Sequence, residues 1–183
     1  MSERTLSGTP LCLAVLRALF NFCIVQSWLS VFSPEEQQLR ETIFQNFSDL
    51  EFKKLFKFAE WSDIDANTKL VVEGLPVTYL IYITKGGARV QVGGITKART
   101  QPFMFVGEMS FLSGENASAT VTTDQVCRCV RWTQESLKSL MISNPAMNLA
   151  FKSVIGVDLT VKVKAHGDRA DDTTLFELRD FGS

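Results

Sequence analysis

Between Leu70 and Trp132 the chain breaks into short β-prone runs, at residues 70–72, 79–83, 89–92, 103–106, 119–122 and 126–132. Glu73-Gly74, Gly86-Gly87, Gly93-Gly94, Ser113-Gly114 and Asp124-Gln125 punctuate them. Strands spaced about 8 to 12 residues apart, with turn residues between them, argue an all-β sandwich or barrel. The expectation is one antiparallel β-sandwich over residues 61–132. Val71, Leu80, Tyr82, Val90, Phe105, Leu112 and Val121 are expected in its interior.

Helices flank this region. Ser33-Pro34-Glu35-Glu36 is a helix start, with a serine cap, proline at the first helical position and acids in the first turn. Leu39, Ile43 and Phe44 would be its buried face. Ser48-Asp49 opens a second helix with Leu50, Phe52, Leu55, Phe56 and Ala59 on its packing side, closed by Trp61. After the β region, Thr133 caps a helix over 134–142, and Asn144-Pro145 opens another that runs to about Lys164. From Gly167 the chain turns polar, and residues 167–183 are expected as a flexible tail.

The other end is apolar. After a polar leader, Leu11 opens and Phe32 closes a 22-residue stretch interrupted by Arg17, Asn21 and Gln26. A membrane-spanning helix needs about 20 mostly apolar residues, and a central arginine costs roughly 2.5 to 3.5 kcal/mol there. The stretch is expected as one continuous helix, transmembrane or interfacial, while the lack of a basic lead and of a cleavage site argues against a signal peptide. The domains so read are 1–32, 33–166 and 167–183.

Composition narrows the function. A net charge of -1 over 183 residues lacks the basic excess of a dedicated nucleic-acid binder. The cysteines at 12, 23, 127 and 129 form no C-x-x-C pair, so neither zinc nor thioredoxin-like chemistry is expected, and all four read as reduced. The single histidine, His166, lies near the polar end and reads as exposed. Ser110, Ser113 and Ser118 have no histidine nearby in sequence, and no P-loop is present, so no enzyme is expected.

The distinctive stretch is residues 105–121, FVGEMSFLSGENASATV. It reads as strand end, one helical turn, tight loop and new strand, which aims several backbone N–H groups into one small volume, as phosphate sites do. It resembles the phosphate-binding cassette of cyclic-nucleotide-binding domains through Gly107, Glu108, Leu112, Gly114, Ala119, Thr120 and Val121. Leu70-Val71-Val72-Glu73-Gly74, followed by 80–83 and Gly86, is similar to that family's strand, Glu-Gly turn, strand and glycine corner. The resemblance implies an antiparallel β-roll (a double-stranded β-helix, the cupin-like jelly roll) with flanking helices. It also implies a ligand site at Gly107, Glu108, Met109, Ser110, Ala117, Ser118 and Ala119, with Glu108 accepting from a ribose 2′-hydroxyl. In one place the chain departs from the pattern: Ala117 stands where the family has its phosphate-pairing arginine. Lys97 and Arg99 are the candidates for a substitute charge.

The flanking runs, residues 33–61 and 155–163, resemble the Popeye-domain family and its bacterial relatives, whose members are membrane-embedded with a cytosolic nucleotide-binding-like domain. That resemblance implies a membrane-associated sensor module, with the roll in the cytoplasm, that binds cAMP or cGMP weakly without the standard arginine. The other reading is a ligand-free scaffold for protein partners. A homodimer through the C-terminal helix is expected; a cofactor, a metal and a nucleic-acid partner are not.

Overall fold

The computed structural model describes residues 32–179. They fall in two compact units divided after Gln45. The described part of the first holds α1 (Pro34–Thr42), with Ser33 as its cap. Ser33 Oγ accepts from the Glu36 N–H at 3.2 Å, and Glu36 Oε2 accepts from the Ser33 N–H at 2.7 Å, a reciprocal capping box that satisfies two donors the helix leaves unpaired. Leu39 and Phe44 are buried.

The second unit opens with α2 (Asp49–Phe56), capped in the same way by Ser48 and Glu51. Eight strands follow: β1 (Glu60–Ile64), β2 (Lys69–Val71), β3 (Tyr79–Lys85), β4 (Ala88–Val92), β5 (Ile95–Arg99), β6 (Met104–Val106), β7 (Thr120–Thr123) and β8 (Cys127–Thr133). A short α3 (Glu108–Ser113) sits between β6 and β7, and α4 (Gln134–Ser143) and α5 (Pro145–Arg179) end the chain. The strands form two four-stranded sheets, ordered β1-β8-β3-β6 and β2-β7-β4-β5, with every pair antiparallel. This is the strand order of a jelly roll, two interleaved Greek keys.

The sheets face each other over Ile81, Ile83, Ala88, Val106, Val121, Cys127 and Cys129, with Val71 and Val90 partly buried against them. The sheet containing β3 is covered on both faces, so β3 is buried from Leu80 to Thr84 instead of alternating with solvent. Leu80, Tyr82 and Phe105 are buried as expected, but on the helix side. Tyr82 meets Phe105 edge-on at 4.7 Å, and Phe105 and Phe111 both meet Phe151 of α5, at 6.4 and 5.8 Å. Leu112, expected inside, is 42% exposed: α3 is six residues long and turns Phe111 inward in its place.

Several boundaries differ from the sequence reading. Trp61 lies in β1, opposite Val130, because α2 ends at Phe56 and the chain enters the sheet at once. Leu50 is exposed. β5 is a strand where a linking segment was expected. Gly93 and Gly94 both take positive φ (57 and 79°), the conformation a two-residue hairpin loop demands, and place Ile95 opposite Val92. Helix α5 runs to Arg179, past the expected end near Lys164, since Gly167 alone does not stop a segment otherwise free of helix breakers.

The expected membrane location does not stand: among the described residues no helix is long and apolar enough to cross a membrane. The hydrophobic helix expected over residues 11–32 lies, but for Phe32, outside the described residues.

Candidate functional site

The cassette folds around two glycines. Gly107 enters α3 with φ 88°, and Gly114 leaves it with φ 79°, its N–H donating to the Ser110 carbonyl at 2.9 Å. At Gly107 space is closed as well: a Cβ there would lie 2.9 Å from Val77 Cγ1 and 3.0 Å from the Tyr79 carbonyl oxygen. The Ser110 hydroxyl donates to the Glu115 carbonyl and pins the loop that follows. Ala117 is then stitched to the Glu73-Gly74 turn, its N–H donating to the Leu75 carbonyl (2.9 Å) and its carbonyl accepting from the Gly74 N–H (2.8 Å). Asn116 Nδ2 adds a bond to the Gly74 carbonyl at 2.9 Å. The two motifs singled out in the sequence are therefore physically joined.

Together they wall a cavity of about 210 Å³. Gly107, Glu108, Met109, Ser110, Ala117, Ser118 and Ala119 all line it, against an apolar wall that includes Val71, Val77, Val90 and Val121. Met109 is more than half exposed and lies at the rim, whereas Glu108 and Ala117 are buried. Of the two candidate substitute cations, Arg99 lines the cavity but is mostly exposed and paired with Asp124 at 3.2 Å. Lys97 is exposed on β5 and is not among the lining residues.

The cation nearest the buried carboxylate comes from elsewhere. Lys162 of α5 lines the cavity, with Nζ 2.6 Å from Glu108 Oε1 and 2.7 Å from Asp158 Oδ2, and it donates to the Phe105 carbonyl at 2.6 Å. Asp158 Oδ1 accepts from the Phe105 N–H at 3.3 Å. Sequence reasoning missed both residues. The available signal was their place on the buried stripe of α5: Phe151, Ile155, Asp158 and Lys162 follow one another at three- and four-residue steps, so an acid and a base fall where packing residues belong. Burial, and then the Asp158 charge, push the Tyr82 phenol well above its ordinary range. Among the described residues no cluster of histidine, cysteine and acidic side chains could hold a metal.

The family model for the cyclic nucleotide-binding domain matches residues 62–144. That segment runs from β1 to the start of the link before α5 and includes the whole cassette. Solved structures share the fold. A cyclic nucleotide-binding domain from Methylobacillus flagellatus is 23% identical, over 67% of this chain and 72% of that one, with a TM-score of 0.61. A putative cyclic nucleotide-binding protein from Geobacter metallireducens is 16% identical, over 73% of this chain and 99% of that one, at 0.64. The regulatory domain of Toxoplasma gondii PKA, crystallised with cAMP, is 20% identical over 57% and 42% of the two chains, at 0.51. No match was found among the curated proteins.

Proposed function

We propose that this domain is a regulatory module that binds a cyclic nucleotide, cAMP or cGMP, weakly in the cavity between the cassette and the roll. One observation carries the reading: a buried carboxylate, Glu108, lines an apolar cavity together with the backbone at Gly107, Ser118 and Ala119. A carboxylate is an acceptor, suited to a sugar hydroxyl, and in an apolar cavity its hydrogen bond is stronger than in water. The backbone at Gly107, Ser118 and Ala119 would face the phosphate. Weak binding follows from Ala117, which brings no charge to the wall. The likeness of the flanking runs to Popeye-domain proteins, whose nucleotide binding does without a standard arginine, supports a retained but weakened site.

The reading is of binding and not catalysis. Ser110 spends its hydroxyl on Glu115, and the site offers no nucleophile with a base beside it among the described residues. Leu149, Val157 and Val161, exposed along α5, support self-association as the route by which occupancy reaches a partner. The second reading, a ligand-free scaffold, is favoured by the missing arginine alone. Thermal unfolding with and without nucleotide decides between them. A ligand that binds only the folded state must raise the melting temperature, so the module predicts a concentration-dependent rise with cAMP or cGMP, and the scaffold predicts none.

A further inference from the structure

We infer that Lys162 and Asp158 of α5 are positioning residues for the Glu108 carboxylate. They hold it oriented, so that its second oxygen is left to accept a sugar hydroxyl from the cavity. The inference rests on the nucleotide reading above. The Glu108 and Lys162 side chains are 9% and 20% exposed, and burying such groups is costly unless they are paired and hydrogen-bonded. Lys162 supplies it at Oε1, while Oε2 carries no bond among the described residues.

Lys162 is itself held. It donates to the Phe105 carbonyl and lies against Asp158, one helical turn before it on α5, an arrangement favoured by their spacing of four. Asp158 in turn takes the Phe105 N–H. Phe105 is on β6, an edge strand, so the acid–base pair serves the free backbone edge of that strand as a neighbouring strand would. The ammonium is thereby placed by the sheet as well as by its helix.

The charge count decides what Lys162 serves. Among the described residues two carboxylates lie within 2.7 Å of this ammonium, so a phosphate brought to Lys162 would meet both acids. Lys162 is therefore a partner of Glu108 and not a replacement for the missing arginine. The consequence is that the hydroxyl-accepting group is assembled by residues outside the cassette, and that α5 must be docked for the site to discriminate a ribose.

The test measures binding of cAMP and of 2′-deoxy-cAMP to the full chain and its variants by calorimetry. Lys162→Met should weaken cAMP by about tenfold or more while changing 2′-deoxy-cAMP by no more than about twofold, and Lys162→Arg should restore part of the loss. Equal weakening of both nucleotides, or tighter binding of cAMP, would overturn the inference. A ligand-free double-mutant cycle on Glu108→Gln and Lys162→Met, read by melting temperature, tests the pair itself. Additive shifts there would overturn it even in a protein that binds cAMP. If the wild type binds neither nucleotide while the cycle stays non-additive, the nucleotide reading and the hydroxyl-positioning role fall together, and the pair remains as a clamp of α5 on β6.

Discussion

The indole N–H of Trp132 donates to the main-chain carbonyl of Leu55 at 3.0 Å. Trp132 is on β8 and Leu55 on α2, so one fully buried bond ties the entry helix to the centre of the first sheet. Phe56 closes against the same indole edge-on at 5.6 Å and stacks on Phe52 at 4.1 Å. The helix is fixed by an aromatic cluster with one polar pin in it.

Trp132→Phe keeps much of the ring packing and removes the pin. The Leu55 carbonyl retains its contact from the Phe58 N–H at 3.3 Å, which limits the penalty. Loss of the bond and the smaller ring together should cost about 2 kcal/mol. Urea unfolding should show a lower midpoint at unchanged slope. An unchanged midpoint would mean the indole bond contributes nothing.

How much of this was legible before the structure depends on where each signal sits. The cassette was readable because its parts are contiguous: Gly107 and Gly114 need positive φ, and the residues between and after them line one cavity. Strands β1 and β5 were not readable. Each has at most one buried residue, Ala98 in β5 and none in β1, so neither shows the apolar alternation that marks a strand. Their pairing is supplied by tertiary partners, β8 and β4. The Asp158–Lys162 pair was hidden for a different reason: Lys162 stands 54 residues from Glu108 in the chain and joins the site only through space, so the acid and base on the stripe of α5 carry no sequence link to the cassette.

The two cassette glycines differ in a way that can be measured. Both need positive φ, but a Cβ at Gly114 meets nothing within 4 Å, whereas at Gly107 it meets Val77 and Tyr79. Gly114→Ala should cost about 1 to 2 kcal/mol, the penalty of a left-handed alanine. Gly107→Ala should cost clearly more and should abolish nucleotide binding, because Val77 and Gly107 both line the cavity. Equal melting-temperature losses for the two variants would contradict the close approach at Gly107.

Burial pushes the Cys129 thiol up to about 12, with the neighbouring Cys127 and Asp63 adding to the effect. Cys127 is raised too, chiefly by burial. In the unfolded chain a cysteine titrates near 8.5. Below that pH both states keep the proton and nothing changes. Above it the unfolded state loses its proton first, so stability falls as pH rises, by up to about 1.4 kcal/mol per pH unit for Cys129 until its folded value is reached. Unfolding free energies measured between pH 7 and 10 should decline above about 8.5, and Cys129→Ala should flatten the decline. Thiol reagents should label Cys127 and Cys129 only after denaturation, as peptide mapping would show.

Ala117 bears on the strength of the site. It lines the cavity, is 8% exposed, and is held by two backbone bonds to the Glu73-Gly74 turn, so its side-chain direction is set by the main chain. Val71, Val90 and Val121 share the wall with it, and the two cations that line the cavity are both in ion pairs, Arg99 with Asp124 and Lys162 with Glu108 and Asp158. A phosphate entering there meets, among the lining residues, no cation outside an ion pair. Ala117→Arg would supply one from the position at which the family's cassette carries its arginine. A charge-assisted bond of about 1.5 to 3 kcal/mol should tighten cyclic-nucleotide binding by roughly ten- to a hundredfold. Adding Glu108→Ala should remove much of that gain, because the ribose hydroxyl would lose its acceptor and Lys162 its partner. Calorimetry with cAMP and cGMP on the three proteins measures each step. Failure of Ala117→Arg to bind at millimolar nucleotide, with its melting temperature intact, would show that the cavity does not accept the ligand and that the scaffold reading holds.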